Sequence, residues 1–318
     1  MSEKDIYRSL CDERPVPLFC QAWWMDAVCG ECWDVCLYEE KGRVVAAQPY
    51  HYRRRLGRLF IVQPQLTQYN GVWIDYASVK DDYYEKLALE KRACDALADR
   101  ILALHPVCFV QSFHKYFTNW LPYYWRGFTQ TTRYSYVIDD LSDPESIAAG
   151  FQRSKRRWLK KAINKGLYAD FDLSGDELFD FHVYALSLQG RKISHSREFF
   201  RKVTDAAKAR GQGQVLGIRE PDGKLVAGIF FVWDGMSGYQ LIDAIDRTSE
   251  LASEASTLAV WECIKFLKGK TAVFDFEGSM DKDIESSFCK YNTRQIQFMT
   301  ITRYSSPFWE ILMRLKNR

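Results

Sequence analysis

The chain has 318 residues, of which 47% are hydrophobic, 15% aromatic and 27% charged, with a formal net charge of +3. That excludes a disordered or fibrous protein, gives length for two hydrophobic cores, and leaves too little net charge to argue nucleic-acid binding on that ground alone. The longest apolar run, residues 225–233, is far too short to cross a bilayer.

A helix is expected over 21–29, with Trp23, Trp24, Ala27 and Val28 on one face and Gly30 as its stop. Strands follow at 33–38 and 43–52 around the turn Glu40-Lys41-Gly42, and shorter ones at 59–62 and 71–74. A long helix over 82–104 carries Leu87, Cys94, Leu97, Ala98 and Ile101 as its apolar stripe. Strands at 107–112 and 128–138 lead to the acidic, proline-containing segment 139–144, where a domain boundary is expected.

The second half opens with a basic helix over 151–165. A capping box, Ser174 with Glu177, starts the next helix, and Ser196 caps a third that stops at Gly211. Strands at 214–219 and 224–233 flank the turn Pro221-Asp222-Gly223, followed by a strand at 239–245, a helix at 256–267 and a strand at 271–277. An amphipathic helix is expected at 308–315. The hairpin VCLYEEKGRVVAAQPY at 35–50 lies over VLGIREPDGKLVAGIFF at 215–231 with one inserted residue, and in each half a helix and a strand come later. Internal duplication is therefore expected: a first domain over 1–142, a second over 143–303, and a C-terminal helix over 304–318 folding back on the first.

Several constellations carry chemistry. The helix RSKRRWLKKAINK bears Arg153, Lys155, Arg156, Arg157, Lys160, Lys161 and Lys165 with no acid among them, opposite an apolar stripe of Phe151, Trp158, Leu159, Ala162 and Ile163. Such a face is either simply solvated or holds an anion, because like charges on one helix repel unless something neutralises them. Arg156 and Arg157 suit phosphate, and a second basic cluster, Arg53-Arg54-Arg55 with Arg58, lies in the first half. The strand at 271–277 ends in Glu277-Gly278-Ser279, and α/β folds place ligands beyond such strand ends. Glu277 reads as a general base or anchor, or as a strand-end ion pair; Asp243 and Asp246 carry the same two readings. Gly228 marks either a packing gap or a bulge that frees a backbone N–H to polarise a carbonyl.

Cys29, Cys32 and Cys36 lack the second ligand pair a structural zinc needs, and Cys32 and Cys36 fit the alternation of a strand burying small side chains. The five histidines are isolated in sequence. Nine cysteines without a secretory-type leader point to a cytoplasmic protein with reduced thiols, reaching the inner face of a membrane at most peripherally.

The doubled order of hairpin, third strand, helix and strand resembles the GNAT acyltransferase fold. So do PLFCQAWWMDAV (17–28), SKRRWLKKAINKGL (154–167) and FDFEGSMDKDIESSFCKYN (274–292), in the tandem arrangement of the Fem-type peptidyltransferases and their bacterial relatives. The resemblance implies an α/β protein of two GNAT-like domains, each a mixed, mostly antiparallel sheet flanked by helices. It implies transfer of an acyl or aminoacyl group onto an amine of an anionic cell-wall or surface-polymer precursor, nucleotide-sugar or lipid-linked. The donor would be aminoacyl-tRNA, as in the Fem branch, or acyl-CoA, as in ordinary GNAT enzymes, with no tightly bound cofactor, no metal and no DNA partner. On this basis Glu277, Asp243 and Lys290 are the catalytic candidates. Arg156, Arg157, Lys160, Arg54, Gly228, Gly278 and Ser279 are the candidates for holding substrate. Two departures matter. The Phe-Lys pair followed by aromatic-Gly of active Fem-type enzymes is replaced by Ser287-Phe288-Cys289-Lys290-Tyr291-Asn292. The CoA-binding loop is replaced by 247–255, whose Glu250 and Glu254 would repel a pyrophosphate at a helix N-terminus. A catalytically degenerate module that binds an anionic ligand is the alternative.

Overall fold

The computed structural model describes residues 1–278 and 280–316. Its elements begin with α1 (Glu3–Glu13), α2 (Ala22–Cys29), β1 (Trp33–Glu40), β2 (Arg43–Arg55), β3 (Arg58–Ile61), β4 (Trp73–Ile74), α3 (Tyr83–Ala103), β5 (Cys108–Ser112), α4 (Leu121–Tyr124) and β6 (Thr129–Ile138). Next come α5 (Pro144–Gly150), α6 (Arg153–Asn164), β7 (Tyr168–Asp170), α7 (Gly175–Ser187), α8 (Arg197–Ala209), β8 (Gly213–Arg219), β9 (Leu225–Trp233) and β10 (Ser237–Ile245). The last are α9 (Ala252–Leu267), β11 (Val273–Asp275), α10 (Lys282–Phe288), β12 (Arg294–Tyr304) and α11 (Pro307–Lys316).

The chain divides into two units, Met1–Arg133 with Gln297–Arg318, and Tyr134–Ile296. The division therefore lies at 133/134, not at 142/143, and α11 is grouped with the first unit. The physical reason is that β6 runs through the division as one strand whose last residues, Tyr136 and Ile138, are buried with Leu141 in the core of the second unit. The acidic segment 139–144 caps α5, with Asp143 accepting from the Ser146 N–H.

In the first unit the sheet order is β1-β2-β3-β5-β12, with β4 on β2. β1 and β2 form a hairpin closed by Lys41 and Gly42, both at positive φ (52° and 75°), the backbone that matches strand twist. β3 and β5 are parallel and are joined through α3. That helix starts on the Asp82 cap and buries Leu89, Ala93, Cys94, Leu97, Ala98 and Ile101. Leu87, expected in this stripe, is only partly buried, because the stripe at this spacing begins at Leu89.

In the second unit the order is β6-β11-β10-β9-β8-β7. β8, β9 and β10 form an antiparallel meander, and β10 and β11 are parallel and joined through α9. Leu159 and Ala162 of α6 pack with Ala255, Leu258 and Ala259 of α9 on one face of the sheet. On the other face Phe200 of α8 meets Phe230 edge-on at 5.7 Å. The expected capping box forms, Ser174 Oγ accepting from the Glu177 N–H at 3.2 Å and Glu177 returning a bond to the Ser174 N–H at 3.0 Å. Ser196 caps α8 through the Phe199 N–H at 3.2 Å. Each cap is worth about 1 kcal/mol to its helix.

Both units thus contain a hairpin followed by a parallel strand pair bridged by a long helix. This is the doubled α/β architecture expected from the duplication.

Candidate functional site

The second unit contains a built opening where two parallel strands part. β10 and β11 pair only over Ser237↔Val273, Gly238↔Phe274 and Tyr239↔Asp275. β11 then ends, while β10 runs on to Ile245 with a register irregularity at Leu241, between Gln240 and Ile242. β10 stays paired with β9 as far as Ile245↔Ala227, so it is the end of β11 that frees its other edge; strand ends of this kind are where α/β sheets receive ligands.

The sequence stops β11 by local chemistry. Glu277 and Gly278 both adopt positive φ, 57° and 47°. A Cβ on Gly278 would lie 2.0 Å from the Tyr134 carbonyl oxygen and 2.6 Å from Ser135 Cα, so only glycine fits this approach of backbone to backbone. Asp275, fully buried, holds the turn: its Oδ1 accepts the Glu277 N–H at 2.9 Å and the Ser135 hydroxyl. Glu277 therefore projects from a turn whose backbone is strongly constrained, and it is partly buried. Ser279 lies outside the described residues.

Three groups meet near this opening. Lys155 of α6 is 3% exposed, and its Nζ donates to the Tyr291 hydroxyl at 2.8 Å and the Ser287 hydroxyl at 3.3 Å. Burial pulls the Lys155 ammonium down to about 8; the Asp243 carboxylate opposes this and Lys290 adds to it. Asp243 on β10 is open to solvent, yet desolvation by the surrounding protein lifts its carboxyl to about 6 against the pull of Lys155 and Arg247. Tyr291, 2% exposed, is stacked on Phe276 at 5.3 Å and meets Phe151 edge-on at 5.1 Å. Burial raises its phenol well above the ordinary range, opposed by the Thr257 and Ser256 hydroxyls in the first turns of α9. An acid near 6 within electrostatic reach of an ammonium near 8 leaves, at neutral pH, one group able to accept a proton and one able to donate.

Lys155 and Tyr291 were not among the sequence candidates. The signal for Lys155 was present: it falls four residues after Phe151 and four before Leu159, on the apolar stripe and not on the charged face. Tyr291 gave no such signal, because its burial depends on Phe276 and Phe151, far away in sequence.

The remaining candidates separate. The cationic face of α6 is not uncompensated as expected. Lys155 points inward, Arg156 Nη1 donates to the Ala149 and Phe151 carbonyls at 3.0 Å each, and Lys161 pairs at 2.8 Å with Glu254, itself 5% exposed. Arg156 therefore serves first as a cap on the end of α5, whereas Arg157 and Lys160 are exposed. Arg156, Lys160, Leu159 and Asn164 line a shallow depression of about 250 Å³. Lys290 is exposed, and its carbonyl accepts the Gln152 N–H at 2.9 Å. Gly228 sits in an unbroken ladder opposite Ala244 and Gly217, and a Cβ there would meet Leu178 Cδ1 at 2.5 Å. Its small size makes room for α7, and the bulge expected there is at Leu241 on the next strand. Asp246 is a turn former, bonding the Thr248 N–H at 2.9 Å and hydroxyl at 2.6 Å. Arg54, in the first unit, is exposed at the end of β2 and pairs in the ladder with Leu59.

Two further expectations change. Cys36 is buried in β1 with its thiol pushed up to about 12 by desolvation, but Cys32 precedes the strand and is exposed. The histidines are not all isolated: the rings of His182 on α7 and of His195, just before α8, lie 6.2 Å apart, with burial holding His182 near 4 and therefore neutral. Among the described residues no three metal-capable side chains converge.

Comparison with known proteins returns no matching family model and no matching curated sequence. Solved structures do match over nearly the whole chain. The crystal structure of FemX superposes with a TM-score of 0.71 at 11% identity, covering 94% of this chain and 96% of that one. L-PGS from Bacillus licheniformis gives 0.57 at 11% identity, covering 100% and 97%. A tandem GNAT protein from the clavulanic acid biosynthesis pathway gives 0.54 at 11% identity, covering 96% and 94%. At such identities the likeness is one of fold: this chain has the tandem GNAT fold in the Fem-like arrangement.

Proposed function

We propose that the protein is an acyl- or aminoacyltransferase acting on an amine. The observation that carries this is the end of β11 alongside β10, with Asp243, a carboxyl near 6, within electrostatic reach of the buried Lys155 ammonium, near 8, that is bonded to Tyr291. In the proposed reaction the acceptor nitrogen attacks the carbonyl of an activated ester or thioester. The new C–N bond forms as the bond to the leaving oxygen or sulfur breaks, Asp243 takes the proton from nitrogen, and the Lys155–Tyr291 pair delivers one to the leaving atom. An activated donor needs little covalent help, so positioning and proton handling supply most of the acceleration.

An aminoacyl ester is the favoured donor. Glu254, nearly buried and paired with Lys161, puts a carboxylate in the first turn of α9, where it disfavours a pyrophosphate at that helix N-terminus. The exposed Arg157 and Lys160, beside the depression on α6, support an anionic acceptor of the cell-wall or surface-polymer kind. Transfer by purified protein, with aminoacyl-tRNA and acyl-CoA offered in parallel to nucleotide-sugar amines, tests this reading. The expected kcat/KM profile rises with pH through about 6, as Asp243 ionises, and falls above about 8, as Lys155 loses its proton. Turnover independent of pH between 5 and 9 refutes the assignment.

A non-catalytic anion-binding module is the second reading, favoured by the solvent-facing side chain of Lys290 where active Fem-type enzymes carry their Phe-Lys pair. Any transfer abolished by Asp243→Asn excludes it.

A further inference from the structure

We infer that the first unit carries a docking surface for an anionic lipid bilayer, formed by α11 and the β2–β3 hairpin. Four apolar side chains of α11, Phe308, Ile311, Leu312 and Leu315, are exposed, three of them by 60% or more. Their spacing puts them on one arc of the helix. Trp309, beside that arc, anchors the helix by meeting Phe60 of β3 edge-on at 5.5 Å. Glu310, the helix's only acid, lies on another side, lining a depression with Gly127, Thr129 and Thr302. The apolar arc is thus left free of negative charge.

The hairpin supplies the matching electrostatics. Arg53 pairs with Phe60 and Arg55 with Arg58, so these arginines emerge on the hairpin face that bears Phe60, the face Trp309 touches. All three are exposed, and Leu56 at the hairpin tip is completely exposed at positive φ (48°), followed by Gly57 (70°). An apolar wedge flanked by arginines is the composition of an interfacial anchor, apolar groups entering the acyl boundary while guanidinium groups stay with anionic headgroups. Since no helix among the described residues is long and apolar enough to cross a membrane, attachment through this surface is peripheral. The inference is independent of the chemistry proposed for the second unit, and its assay needs no turnover.

The test is co-sedimentation of the full chain with vesicles of phosphatidylcholine alone and of phosphatidylcholine with 30% phosphatidylglycerol. Binding to the anionic vesicles only, weakening as salt is raised, is expected. At roughly fivefold per arginine near an anionic surface, Arg55→Glu with Arg58→Glu lowers the partition coefficient by at least about 25-fold. Ile311→Asp with Leu315→Asp lowers it by more than about tenfold. Both variants should keep the wild-type thermal transition, since these side chains are exposed. Equal binding to neutral vesicles, or none to either, overturns the proposal. So does a concentration-dependent dimer abolished by Ile311→Asp without vesicle binding, which assigns the apolar face to a second copy. Salt-sensitive tRNA binding through Arg55 and Arg58 without vesicle binding assigns the hairpin to nucleic acid and equally overturns it.

Discussion

Replacing Asp243 by asparagine separates stability from activity in one residue. Its carboxyl is raised from 3.8 to about 6, chiefly because the protein desolvates the charged form, so the folded state holds a proton that the unfolded state has released. The stability linked to that proton is present below about pH 4 and is lost as pH rises through about 6. A shift of this size converts to about 3 kcal/mol at most. Because the side chain reaches solvent, screening reduces this to roughly 1–1.5 kcal/mol. Asparagine also removes the carboxylate that supports the Lys155 ammonium, which offsets part of the gain. The expected outcome is a variant more stable than wild type by about 0.5–1 kcal/mol at pH 7.5 and by nothing at pH 4, with transfer reduced about 10²–10⁴-fold. Urea unfolding at the two pH values and a carboxyl carbon NMR titration of wild type against variant measure it. A variant less stable than wild type at pH 7.5, or an advantage equal at both pH values, refutes the desolvation argument, because then the carboxylate is held by its ion pairs.

Lys155→Met removes an ammonium that burial disfavours. Wild-type stability should rise from about pH 8 towards 10.5 as the folded-state lysine sheds its penalty, and the methionine variant should lack that rise. Gly278→Ala and Gly228→Ala should part company. The first drives a methyl into the Tyr134 carbonyl at positive φ and should cost more than about 3 kcal/mol, whereas the second presses only on the movable Leu178 side chain and should cost about 1–3 kcal/mol with kcat preserved. Thermal unfolding with a transfer assay distinguishes them. Lys161→Ala leaves Glu254 nearly buried without its cation and should destabilise by about 1–3 kcal/mol, read by urea midpoint; the added Glu254→Gln should restore most of the loss.

Much of the framework is written locally. The Ser174–Glu177 and Ser196 caps, the Lys41-Gly42 hairpin turn, the long α3 and the repeated hairpins each depend on residues within a few positions of one another, and their types and approximate bounds follow from spacing alone. β12 escaped because its register buries only Phe298 and Ile301 in eleven residues, too weak an alternation to separate from loop. α1 escaped because its capping box closes through Asp5, where the usual pattern has Glu or Gln, and it buries only Tyr7 and Leu10.

The candidate site divides along the same line. The sequence by itself determined that a strand ends at Asp275-Phe276-Glu277-Gly278, that α6 is cationic and that Asp243 closes a neighbouring strand. Only the tertiary structure decided which of these groups work together. Burial turned Lys155 inward to Tyr291, Glu254 took Lys161, backbone carbonyls took Arg156, and Leu178 accounted for Gly228. Charge and glycine content are local properties of a chain. Desolvation and ion pairing are set by what folds against them, and those two effects move Asp243 to about 6 and Lys155 to about 8.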